Sequence, residues 1–178
     1  VLACLIDVLN DCAEPDEDDE RDEEEEQDDN AGTFENAVFA LGTIASDPRY
    51  RDAVLAMGPG NVEHLVNTWL PRLPLATDEA QAKLASKQLC DSIERNDSYV
   101  IGTNGANLPE VLRIFAKVIE STSSSAAADC MCLAHPATRP RIQGIVRSMV
   151  ASSGSNPAVS AALSSLEPDL QQALRSVC

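Results

Sequence analysis

The run Asn61-Val62-Glu63-His64-Leu65-Val66-Asn67-Thr68-Trp69-Leu70-Pro71-Arg72-Leu73-Pro74 decides the fold. Val62, Leu65, Val66, Trp69 and Leu70 recur at helical spacing, which makes one side of the segment apolar. Pro71 and Pro74 end it, because proline lacks the N–H and clashes with the preceding turn. Residues 78–95 follow as a second helix, with Ala82, Ala85, Leu89 and Ile93 on one face. Residues 97–107 are polar and carry Gly102 and Gly105, the composition of a turn. Residues 108–119 form a third helix with the stripe Leu108, Val111, Leu112, Phe115, Val118 and Ile119. Asn107 is a candidate N-cap for it, and Pro109 sits in its first turn, where a missing N–H costs nothing. Helices this short cannot bury an apolar stripe alone, so they are expected to stack on neighbours.

The same reading extends outward in both directions. Leu2, Leu5, Ile6 and Leu9 form a stripe from the first residues, so residues 1–12 are expected to close a preceding helix, and the chain to be a piece of something longer. Residues 14–29 hold 13 acids and one arginine. Like charges at that density repel and nothing apolar is present to bury, which predicts a disordered loop over 13–32. A helix over 33–46 presents Phe34, Ala37, Val38, Leu41 and Ile44, and Pro48 stops it. Residues 50–57 read as a short helical piece, ended by Gly58-Pro59-Gly60. Residues 121–135 are a low-complexity connector, in which 126–133 reads either as a helical turn or as a mobile stretch. Residues 136–178 supply closing helices over 141–151, 158–163 and 168–177.

The 44% apolar content supports a sizeable core, but aromatics are only 3%, so small and aliphatic residues do the packing. That suits helix-on-helix contact, and no segment alternates at period two as strands do. The net charge of −16 is mostly local, −12 of it falling within 14–29. With no basic patch to neutralise phosphates, direct nucleic-acid binding is not expected, and a basic protein is the sensible electrostatic partner. The six cysteines follow no secreted disulfide spacing, which points to reduced thiols inside a cell. No signal peptide or membrane span is read, and no membrane insertion is expected.

A period is visible. Leu41 and Leu89 hold like places 48 residues apart, and Trp69 and Phe115 hold like places 46 apart. Paired helices at this period predict an all-α HEAT-repeat solenoid of stacked antiparallel helix pairs, with two repeats over 33–120.

Several runs carry a family resemblance. They are Asn61 to Leu65, Trp69 to Leu75, Leu89-Cys90-Asp91-Ser92-Ile93-Glu94-Arg95-Asn96, Asn107-Leu108-Pro109-Glu110-Val111, Glu35-Asn36-Ala37, Leu41-Gly42-Thr43-Ile44 and Leu166 to Ala173. Their order and spacing resemble the C-terminal repeats of importin-β-type karyopherins. The resemblance implies a nuclear import receptor that shuttles between cytoplasm and nucleus with basic cargo, such as ribosomal or histone-like proteins. It implies contact with Ran-GTP and nucleoporins through the full-length receptor, with no catalysis and no cofactor. Two segments depart from the family pattern: the acidic run, and the Ser/Ala stretch over 121–129. The period alone fits equally a HEAT-repeat scaffold organising a multiprotein complex.

Candidate partner-binding residues follow. In the acidic run they are Asp16, Glu17, Asp18, Asp19, Glu20, Glu23, Glu24, Glu25 and Glu26, which would attract lysine-rich and arginine-rich cargo. The resemblance adds the partner helices: Glu63, His64 and Asn67 on one, Glu110, Arg113 and Lys117 on the other. Trp69 and Phe115 sit within apolar stripes and are expected in the core. Cys130, Cys132 and His135 form a C-x-C-x-x-H cluster, but a structural zinc needs four ligands and no fourth is evident. No metal, cofactor or catalytic residue is therefore expected.

Overall fold

A computed structural model describes the backbone of residues 23–58, 60–123 and 131–178, and the side chains of 31–58, 60–121 and 131–178. The chain is all-α, with no strand among the described residues. Its α-helices are α1 (Glu23–Ser46), α2 (Pro48–Met57), α3 (Gly60–Trp69), α4 (Glu79–Glu94), α5 (Ser98–Ile101), α6 (Leu108–Ser123), α7 (Arg139–Ser152), α8 (Pro157–Ser165) and α9 (Pro168–Arg175). Short 3-10 turns cover Leu70–Arg72 and Thr103–Gly105. The helix expected over 1–12 lies outside the described residues.

Local chemistry explains most of the boundaries. Proline opens α2, α8 and α9, where its fixed φ suits the first turn. Asp47 caps α2 by accepting from Arg49 N, Asp78 caps α4 by accepting from Ala80 N and Gln81 N, and Asn156 caps α8. Gly58, at φ 146°, ends α2 in a conformation that suits glycine.

Four boundaries correct the sequence reading. The loop expected over 13–32 gives way to helix at Glu23, because glutamate is a good helix former and acids favour the positive N-terminal end of a helix. Helix α6 runs through Ser123, past the connector boundary expected at 121. The turn over 97–107 contains the short helix α5, capped by Asp97. Asn107 does not act as the expected side-chain cap: its amide donates back to the Tyr99 carbonyl at 3.3 Å. Of the segment 126–133, for which the sequence leaves a helical turn or a mobile stretch open, residues 126–130 lie outside the described residues and 131–133 are not helical.

The core runs through every layer of contact. Val38, Leu41, Leu65, Trp69, Leu89, Leu112 and Phe115 are fully buried. Helix α1 packs on α3 and α4, α4 packs on α7, and α6 packs on α8 and α9. Helices α1 and α4 run side by side in register: Gln81 donates to Asn36 (2.6 Å), Gln88 to Thr43 (3.0 Å) and Arg95 to the Ser46 carbonyl (2.8 Å). The register continues from α4 onward, where Ser86 donates to the Leu133 carbonyl (2.7 Å) and Arg141 to Glu94 (2.7 Å). Close approach is built into this stack: a Cβ at Gly42 would lie 2.5 Å from Trp69 Nε1. Glu35 locks the stack at one end. Its buried carboxylate accepts from Ala76 N, from Thr77 N at 2.7 Å and from Asp78 N at 2.9 Å, holding the loop that leads into α4.

Candidate partner-binding site

The expected site residues divide into three groups. Asp16, Glu17, Asp18, Asp19 and Glu20 lie outside the described residues. Glu23, Glu24, Glu25 and Glu26 form the first turn of α1. Glu63, His64 and Asn67 are exposed on α3, opposite the buried face of Val62, Leu65, Val66 and Trp69. They are available to a partner.

Glu110 and Arg113 are placed differently. Both are half-buried, and Arg113 donates to Glu110 at 2.6 Å and to the carbonyls of Leu73 and Pro71. Arg113 therefore fastens α6 to the turn after α3 through its Nη2 group. Lys117 and Glu120 continue the same α6 face and are exposed. The exposed candidates are thus Glu63, His64 and Asn67 on α3, with Lys117 and Glu120 exposed on α6. Trp69 and Phe115 are both fully buried, as expected from their stripes.

The cysteine cluster is described only in part, since Cys130 lies outside the described residues. Cys132 Sγ faces Arg139 and the Ala134 carbonyl, and His135 Nδ1 accepts from Ala137 N at 3.2 Å. His135 thus serves its own turn. No group of three or more His, Cys, Asp or Glu suited to a metal occurs among the described residues. Cys90 is buried, and burial pushes its thiol up to about 12, so it is a packing residue rather than a nucleophile.

Sequence reasoning missed two polar features. One is a cluster at the α4–α7 junction, where Arg141 pairs with Asp91 and Glu94, and Lys87 pairs with Asp91 at 2.8 Å. Burial works against the charge of Asp91, but the hydrogen bonds from Lys87 and Arg141 outweigh it and lower its pKa. The hydrogen bond from Arg141 lowers Glu94 too, and the two carboxylates raise Arg141. The other is a crevice of about 330 Å³ lined by Thr43, Ser46, Asp47, Pro48, Gln88, Asp91 and Arg95. Arginine and acids spaced 46–50 apart were the available signal, since that spacing matches the repeat period.

No described helix is long and apolar enough to cross a membrane. No protein-family model matches the chain.

Proposed function

We propose that this chain is a cargo-binding portion of an importin-β-type nuclear transport receptor, built as an α-solenoid of HEAT-type repeats. One observation carries the architectural half of this reading. The long-range hydrogen bonds accepted by Glu35 and donated by Gln81, Gln88, Arg95, Arg113 and Arg141 join residues 40–50 apart. Contacts at one repeat length, between neighbours only, are what a stack of repeated helix pairs makes. On this reading α1, α4 and α7 form one layer, and α3, α6 and α8–α9 form the other.

The functional half rests on charge. A net of −16, concentrated in residues 14–29, favours encounter with a lysine-rich or arginine-rich segment. The exposed ridge of Glu63, His64 and Asn67 would then receive it. Ran-GTP and nucleoporins engage the full-length receptor, which moves between cytoplasm and nucleus. The proposal includes no catalysis and no cofactor.

The test is the association rate of a lysine-rich cargo segment with the full chain, measured against ionic strength. Association that slows steeply with salt supports the reading. Absence of binding, or binding indifferent to salt, rejects cargo capture and favours a scaffold.

A further inference from the structure

The two junctions along the α1–α4–α7 row can be compared directly. At the second, Arg141 reaches back to the end of α4 and meets Asp91 and Glu94, the last residue of that helix. At the first, Arg95 reaches back to the end of α1 and meets Ser46, the last residue of that helix. Arg95 and Arg141 are 46 residues apart in sequence, and Ser46 and Glu94 are 48 apart. Each arginine reaches the C-terminal end of the preceding helix, Arg95 from the C-cap of α4 and Arg141 from the first turn of α7, but only the second finds carboxylates. Arg95 donates to the Ser46 carbonyl and, at 3.3 Å, to Ser92 Oγ, and it has no ion pair. Where the second junction has the long acids, the first has the short side chains of Thr43 and Ser46. The crevice of about 330 Å³ lies beside them.

The charges around the crevice leave one cation over. Asp47 spends both oxygens on Arg49. Asp91 is shared by Lys87 and Arg141, and Glu94 is taken by Arg141. Four cations, Arg49, Lys87, Arg95 and Arg141, therefore stand against three carboxylates. The surplus guanidinium is Arg95, which is exposed at the crevice wall. A guanidinium binds a carboxylate through two parallel N–H donors, and Arg95 has donors to spare.

We infer that this crevice is a recognition site for the carboxylate of an aspartate or glutamate side chain presented by a partner protein. The incoming acid takes the place at the first junction that Glu94 takes at the second. It pairs with Arg95 and fills the space above Ser46. Side-chain carboxylates are the occupants favoured here, because the protein itself uses them at the equivalent position. The site is separate from the cargo ridge on α3, sits in the other layer of helices, and selects the opposite charge. It does not depend on the cargo reading. Long-range repulsion from a chain of charge −16 is screened over about 8 Å at physiological salt, so the contact is made at short range.

The experiment titrates the full, isotope-labelled chain with acetyl-Gly-Glu-Gly-amide at physiological salt, following amide shifts around Ser46, Gln88 and Arg95. The expected result is a saturable shift confined to those residues. The peptide with Gln for Glu should bind at least tenfold more weakly. Ser46→Glu supplies the carboxylate from within. It should raise the melting temperature and abolish the peptide response, with helical content unchanged. Arg95→Gln should abolish the response without such stabilisation. Equal shifts from the Glu and Gln peptides would overturn the inference. So would a response to inorganic phosphate without one to the Glu peptide, or a Ser46→Glu protein that binds the peptide as the parent does.

Discussion

At the scale of single residues, Gly42 and Trp69 depend on each other. The indole is fully buried, and its edge lies where a Cβ on residue 42 would project, 2.5 Å from Nε1 and 2.7 Å from Cε2. Both contacts are too short to absorb without movement of a large ring. Gly42→Ala is therefore expected to destabilise the chain by about 1–3 kcal/mol, the usual cost of overpacking. Chemical denaturation of the variant checks this, and an unchanged midpoint would contradict the packing. Trp69→Ala removes the largest buried side chain and should cost about 3–5 kcal/mol. In the parent protein the tryptophan fluorescence should be that of an apolar site.

At the scale of elements, polar locks decide how helices meet. The buried Glu35 carboxylate gathers three N–H groups of the loop before α4. Glu35→Gln keeps one acceptor but turns an amide donor toward backbone donors, so a loss of about 2 kcal/mol is expected. Faster hydrogen exchange at Ala76, Thr77 and Asp78 would locate the effect. Helix α1 offers the opposite opportunity. Gly32 lies inside it with open space where a Cβ would stand, and Gly32→Ala should stabilise by about 0.5–1 kcal/mol.

The Arg141 cluster makes a pH-dependent contribution. Asp91 and Glu94 have folded-state pKa values below their ordinary 3.8 and 4.5. Their contribution is therefore complete above those values and is lost as pH falls below them, through the lowered folded-state values. Thermal melts of Arg141→Gln should show a shallower loss of stability across that window than melts of the parent.

At the scale of the whole molecule, charge and stacking separate cleanly. The described core lies C-terminal to the acidic run, so exchanging the acids of residues 14–29 for Gln and Asn should leave the melting temperature of the helical stack nearly unchanged. The same exchange should slow association with a lysine-rich segment and flatten its salt dependence. Coincident rate–salt curves for parent and variant would remove residues 14–29 from any role in capture. Deleting the run outright is a poorer test, because its last residues belong to α1.

What the sequence by itself determined was most of the helices, the short α5 and the first turns of α1 excepted. Apolar residues at helical spacing placed α3, α4, α6 and α7 within a few residues, and proline marked the starts or stops, because both signals act within a single turn. Burial of Trp69 and Phe115 followed from their stripes for the same reason. Tertiary structure decided the rest. Arg113 looked free on a helix face, and is held because α6 lies against carbonyls 40 and 42 residues earlier. Glu35 lies within the helix expected over 33–46, and only the fold brings the loop at 76–78 to its carboxylate. The crevice beside Arg95 exists only because α1 and α4 run in register with short side chains facing it. Such features depend on which distant residues become neighbours, and no local pattern of spacing records that choice.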